Sequence, residues 1–211
     1  MSEHEIEPVR GLPAPLPAGE RILWQGEPCW RGLALRTFHV RKIAIYCAVL
    51  LAWRVVSDLY DGLGPAGAAA STVWILPLTV LAIGLPALLA WLYARTTIFT
   101  ITTHRVVMRF GVALSMSINI PFRVIAAAGL RTYRDHTGDI PLALTGDDRF
   151  AWLHLWPYVR PWRLTKAEPM LRAVPDAGDV AEILAQALAA GAAVAPAPMP
   201  AATTRRLASA A

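Results

Sequence analysis

Thr72 to Ala94, TVWILPLTVLAIGLPALLAWLYA, contains no charged side chain. An apolar run longer than about 18 residues has one common solution, a helix that crosses a bilayer. Pro77, Gly84 and Pro86 fit such a helix, because neighbouring groups can satisfy the backbone atoms they leave free. Trp74 at one end, with Trp91 and Tyr93 at the other, is the pattern of aromatic anchors at two membrane surfaces. The composition agrees. The 211 residues are 55% hydrophobic and 17% charged, against about 25% charged in an average soluble domain.

Ile43 to Tyr60, IAIYCAVLLAWRVVSDLY, reads as a first span, interrupted by Arg54 and ending near Asp58. Four residues apart on a helix, these two share a face and can pair. Arg54 lies about 16 Å along the helix from Ile43 and can snorkel toward the far surface; the alternative is a contact with a partner helix inside the membrane. The loop Ser57 to Ser71 carries Asp58 and Asp61 but no lysine or arginine, whereas Arg36, Arg41, Lys42, Arg95 and Arg105 flank the spans on the other side. Positive residues stay inside, so both termini are expected in the cytoplasm. The first twenty residues lack the basic-then-apolar pattern of a cleaved signal.

After Thr96 the period changes. "TTIFTITTHRVVMRFG" is rich in β-branched and aromatic residues and ends in a Phe-Gly turn signal. The short apolar runs that follow are broken by Thr-Gly-Asp and Gly-Asp-Asp, as in an antiparallel meander. Val180, Ile183, Leu184, Ala187 and Leu188 then form one helical stripe, with Asp176 expected to cap the helix and Gly191 to end it. The expected divisions are a cytoplasmic N-terminal segment 1–42, a helical hairpin 43–94, a sheet domain 95–192 and a disordered Ala/Pro tail 193–211.

"FTITTHRVVMRFG" and "INIPFRVI" resemble the opening of a membrane-attached bacterial pleckstrin-homology (PH)-like domain, in which a T-x-x-R strand leaves a helical hairpin and an IP-x-x-I strand follows. Thr102 to Arg105 and Ile120 to Ile125 carry the match. "GERILWQGEP" and "LWPYVRPWRLTKAEPMLR" are similar to the PuhB family of photosynthetic-complex assembly proteins of purple phototrophic bacteria, from Glu7 to about Leu188. The resemblance implies an α+β membrane protein: a two-helix transmembrane hairpin, then a small antiparallel β, PH-like domain closed by a C-terminal helix. It implies a non-catalytic factor in the bacterial inner membrane that assists assembly of the reaction centre and core light-harvesting complex. The implied partners are reaction-centre or core antenna polypeptides. Membrane lipids are the other expected contact, self-association is left open, and no nucleic acid is expected. A membrane-attached lipid- or peptide-binding module unrelated to photosynthesis is the alternative.

The residues themselves offer no catalytic chemistry. There is no phosphate loop, no G-x-G-x-x-G, no H-E-x-x-H and no paired CxxC. Cys29 and Cys47 form no metal or disulfide pattern. No histidine falls in either span, so no imidazole is expected to hold a pigment's metal there, and no cofactor is expected. Asp139, Asp147 and Asp148 read as turn residues beside glycine. The remaining feature is "AWLHLWPYVRPWRL", Ala151 to Leu164. For Trp152 a place in a core strand and a place on the surface are both left open. Prolines 157 and 161 exclude a regular strand, so Trp156, Tyr158, Arg160, Trp162 and Arg163 are expected on an irregular connection. These residue types suit either a protein hot spot or an anionic membrane surface.

Overall fold

The computed structural model describes residues 11–12, 14–112, 114–145, 155–161 and 167–194. The expectations for Asp147, Asp148, Trp152, Trp162, Arg163 and the tail beyond residue 194 fall outside them.

The chain begins with β1 (Ile22–Gly26), not with a segment separate from the domain. After a three-residue helical turn, α1 (Trp30–Gly32), and a π turn (Leu33–Thr37), it enters the long helix α2 (Val40–Tyr60). Helix α3 (Pro65–Val73) and helix α4 (Leu76–Thr96) follow. Strands β2 (Ile98–Thr102), β3 (Arg105–Phe110) and β4 (Met116–Pro121) join β1 in an antiparallel sheet of order β1-β2-β3-β4. In the second sheet, β5 (Ile125–Ala128) and β6 (Arg131–Thr132) pair with β7 (Gly138–Leu144), and β8 (Met170–Val174) pairs with β7 as well. Helix α5 (Ala177–Val194) ends the described chain.

Two expectations about the hairpin need correction. The glycine- and alanine-rich stretch between the spans is the helix α3, because alanine is the strongest helix former and Pro65 suits the first helical turn. The second span is not one helix from Thr72. Pro77 has no N–H to continue the helical ladder, so α3 and α4 are separated at Trp74–Ile75, where the backbone stays in the right-handed region. Both α2 and α4 are long and apolar enough to cross a membrane. The rest of the protein does not cover them: Val49, Trp53, Val56, Leu78, Val80 and Leu81 are all exposed. A helix in the core of a soluble domain would bury such side chains.

The core lies between the sheets and α5. Phe99, Ile101, Val106 and Met108 meet Ile140, Leu142, Leu171 and Val174, with Val180, Leu184 and Ala187 of α5 added from the expected stripe. Every residue of β2 is buried, as expected for a central strand of β-branched and aromatic residues. Asp176 is the residue before α5, and its carbonyl accepts the N–H groups of Asp179 and Val180. Gly191 does not end that helix. A Cβ there would stand 3.1 Å from Phe122, so its absence permits close packing. Gly111 (φ 132°) does turn the chain from β3 into β4, where a Cβ would lie 1.9 Å from the Leu114 carbonyl oxygen.

The N-terminal segment is fastened to the hairpin between β2 and β3. Thr102 Oγ1 accepts the N–H groups of His104 (3.2 Å) and Arg105 (3.1 Å) and donates to Glu20 (2.7 Å). Arg105 donates Nε and Nη2 to the same carboxylate, at 2.8 and 3.0 Å. The T-x-x-R motif is therefore a clamp for Glu20. Farther along, Cys29 N–H donates to Ala173 O of β8 at 2.8 Å, so the segment before α2 bonds to both sheets.

Burial alone would raise the Glu20 pKa. Hydrogen bonds from Arg105 and Thr102, with the charge of Arg105, outweigh it and hold the carboxyl below its usual value. A depressed folded-state pKa contributes stability above the unfolded value, near 4.5, and that contribution is lost as pH falls through the folded value. In detergent, the thermal midpoint of the wild type should therefore fall more steeply below about pH 4.5 than that of Glu20→Gln. Arg105→Ala should cost about 1–3 kcal/mol at neutral pH, because it leaves a partly buried carboxylate without its two guanidinium donors. Equal acid slopes for wild type and Glu20→Gln would remove the clamp from the account.

Candidate functional site

The aromatic segment sits where the helices meet the sheets. One residue, Thr97, separates α4 from β2, and it is fully buried. Tyr158 is also fully buried. Its ring packs edge-on to Phe99 at 5.3 Å and against Phe110 at 5.4 Å, and its hydroxyl donates to Thr97 Oγ1 at 2.7 Å. Burial pushes the phenol far above its ordinary pKa, so it is a permanent donor. The expected docking role of Tyr158 is thereby corrected: the ring is core, and a partner cannot reach it.

Trp156 stands at the rim of the same seam. It is 36% exposed and makes edge contacts with Phe38 at 5.5 Å and Tyr93 at 5.7 Å. Phe38 precedes α2 and Tyr93 lies in the last turn of α4, so three aromatic rings collect at the shared end of both long helices. Beside them Arg95 lies over the Trp91 ring at 5.3 Å. Arg160 is not free for a partner in the expected sense. It donates to Glu168 at 2.8 Å while nearly half its side chain stays exposed.

A cleft of about 580 Å³ opens beside this seam, on the outer face of the second sheet. Its floor is small, with Ala127, Gly129 and Ala143, and its walls carry Arg36, Arg131, Arg160 and Arg172 together with Asp139 and Glu168. Arg36 pairs with Asp135 at 2.5 Å and lies over the Tyr133 ring at 3.7 Å; Arg131 lies 5.3 Å from the same ring. Tyr133 donates to Asp139 at 2.7 Å. Arg172 donates one N–H to Thr37 at 3.2 Å, but its Nε is buried without a partner among the described residues. Burial pulls the Arg172 guanidinium pKa down, and the Asp139 carboxylate opposes the shift; a guanidinium stays charged in either case. Sequence reasoning missed this group, since Arg36, Arg131 and Arg172 come from three distant segments. Clustered arginine in "LRTYRD" was the available signal.

At the other end of α2, Arg54 and Asp58 form the expected pair at 3.0 Å. Asp58 is only 3% exposed, because Ser71 of α3 donates its hydroxyl to the same carboxylate. Arg54 is half-exposed and also lines an apolar groove of about 540 Å³ between α2 and α4, with Tyr46, Leu50, Leu78, Thr79 and Ala82. Among the described residues no group of three or more histidine, cysteine or acidic side chains could hold a metal ion.

Comparison with known proteins places this architecture. The Bacterial PH domain family model matches residues 33–188, which takes in both long helices and every strand except β1. A Rhodobacter capsulatus protein, described as an uncharacterized 23.7 kDa protein in the puhA 5' region, is 37% identical over 190 residues, covering 89% of each chain. No solved structure matches the chain significantly. The helical hairpin inserted into a two-sheet domain thus has a family, and the chain belongs to the bacterial PH domain proteins.

Proposed function

We propose that this protein is a non-catalytic assembly factor of the photosynthetic membrane that holds newly inserted reaction-centre or antenna polypeptides. Helices α2 and α4 would cross the inner membrane with the sheets on the cytoplasmic side. The basic residues Arg41, Lys42 and Arg95 at one end, against Asp58 and Asp61 at the other, support that orientation. The link to photosynthesis is supported by the resemblance of "GERILWQGEP" and the Trp-rich segment to the PuhB family. It is supported also by a relative whose name places it in the puhA 5' region.

The observation that carries the binding role is the uncovered groove between α2 and α4. In lipid, helices associate through packing and interhelical polar contacts rather than through the hydrophobic effect. A groove with Thr79 and Ala82 on one wall and Arg54 at its edge provides both. The alternative reading, a lipid- or peptide-binding module with no photosynthetic role, draws on family membership, which does not by itself determine function.

Deleting the gene should lower the yield of assembled reaction centre and core antenna without altering the spectrum of what assembles. Normal complex levels would remove the assembly role, and stoichiometric bacteriochlorophyll on the purified protein would contradict the pigment-free reading. Filling the groove with Ala82→Trp should reduce co-purification of those polypeptides about tenfold, a loss of about 1.4 kcal/mol, with little change in the protein's own level. Orientation is checked with single cysteines at Ser2, Gly64 and Ala208 in a cysteine-free background. Impermeant reagent on intact spheroplasts should reach only position 64.

A further inference from the structure

We infer that Arg54 makes the groove between α2 and α4 selective for a transmembrane helix that carries a side-chain amide in its outer third. The inference rests on the reading that this groove holds a membrane polypeptide, and it names the chemistry by which one helix is preferred to another.

The first argument is unused donors. Asp58 is held from two sides, by Arg54 Nη2 on Oδ1 at 3.0 Å and by the Ser71 hydroxyl on Oδ2. That pair occupies one nitrogen of a guanidinium, a group with five N–H donors in a fixed fork. No other group among the described residues accepts from Arg54. The Asp58 side chain is buried while half of the Arg54 side chain stays exposed, so the surplus donors lie on the open side of the pair. There they meet the groove, where Leu50, Ile75 and Leu78 offer no acceptor. Thr79 lies farther along, and its hydroxyl donates to Ile75 O at 3.1 Å. Donors left unpaired in hydrocarbon are costly, and a helix that brings an acceptor removes that cost.

The second argument is depth. Arg54 lies six residues before α2 ends at Tyr60, about 9 Å along the axis. It stands across from Ile75, at the break between α3 and α4. Its pairing with Asp58, buried under α3, fixes the head at that level instead of releasing it to the outer headgroups. A partner that satisfies it must therefore place its own polar atom in its outer third. The third argument is charge. Arg54 and Asp58 together are neutral, and no other charged side chain lines the groove among the described residues. An added carboxylate would leave a net charge in a medium that penalises it, whereas an amide oxygen accepts without adding one. Thr79 and Ala82 farther along the groove are small enough to let a second backbone approach.

The test uses the full chain in phosphatidylcholine nanodiscs and synthetic leucine-alanine transmembrane peptides as probes, with binding read by fluorescence transfer. One peptide carries a single glutamine in its outer third, a second carries it at the centre, and a third carries none. The outer-third peptide should bind about fivefold tighter than either of the others, the scale of an interhelical hydrogen bond in lipid. Arg54→Leu alone would strand Asp58, so it is combined with Asp58→Leu. Exchanging an ion pair for apolar chains is close to neutral for folding, and Ser71 keeps Ala68 O as an acceptor at 2.9 Å. The double variant should melt close to the wild type and bind the three peptides alike. Equal binding of the three peptides by the wild type would overturn the inference whether or not the double variant folds. A folded double variant that keeps the preference would overturn it too. Ala82→Trp separates the two readings. It should abolish binding of every peptide, and unchanged binding would overturn the groove as the site and this inference with it. Binding that Ala82→Trp abolishes but that shows no preference among the peptides would overturn this inference alone.

Discussion

Thr97 is the point on which the architecture turns. It is the single residue between the end of α4 and the start of β2, it is buried, and its hydroxyl accepts the hydrogen bond of the buried Tyr158. A linker of one buried residue leaves the sheets no freedom to swing relative to the helix they follow. Tyr158 then holds the segment 155–161 at the same seam, which places Trp156 on Tyr93 and Arg160 over the cleft. A hydrogen bond of this kind is worth only about 1 kcal/mol net. Its importance is positional, because it ties the segment 155–161 to the helix–strand junction, where the Tyr93 carbonyl at 3.4 Å is a second, longer acceptor for the same hydroxyl.

The second constraint is the order of the chain. The two long helices are inserted into the sheet domain, since β1 precedes them and β2 follows them. The first sheet can therefore close only after both helices have formed and returned the chain to the same side. Glu20 completes that closure, because Thr102 and Arg105 of the β2–β3 turn converge on its carboxylate from a segment 82 and 85 residues earlier. The Cys29–Ala173 bond does the same for the second sheet. Both ends of α2 are fixed by polar contacts as well, with Arg54, Asp58 and Ser71 holding α3 at the far end.

The long helices and their pairing at Arg54 and Asp58 were legible from the sequence, because an uncharged run and an i,i+4 pair are local signals. The antiparallel strands after Thr96, the Phe-Gly turn and the apolar stripe of the last helix were legible for the same reason. The break between α3 and α4 before Pro77 had a visible cause, but the proline alone did not say whether a long apolar helix would bend or separate. What could not be read was long-range pairing. Nothing local to "GERILWQG" shows that Ile22–Gly26 pairs with a strand beyond the hairpin, and nothing local to Tyr158 distinguishes a core ring from a docking ring. The arginine cleft was hidden for that reason too, being assembled from a turn before α2 and from strands of the second sheet.

The most direct test of this account is whether the sheets are held rigidly against the helices. In a background with Cys29→Ser and Cys47→Ala, spin labels at Leu81 on α4 and Gln186 on α5, both exposed, report that relation through their pulsed-EPR distance distribution in nanodiscs. The account predicts one narrow distribution in the wild-type seam that broadens when Tyr158→Ala removes the ring and its hydrogen bond to Thr97. A broad or multiple distribution with the seam intact would contradict it.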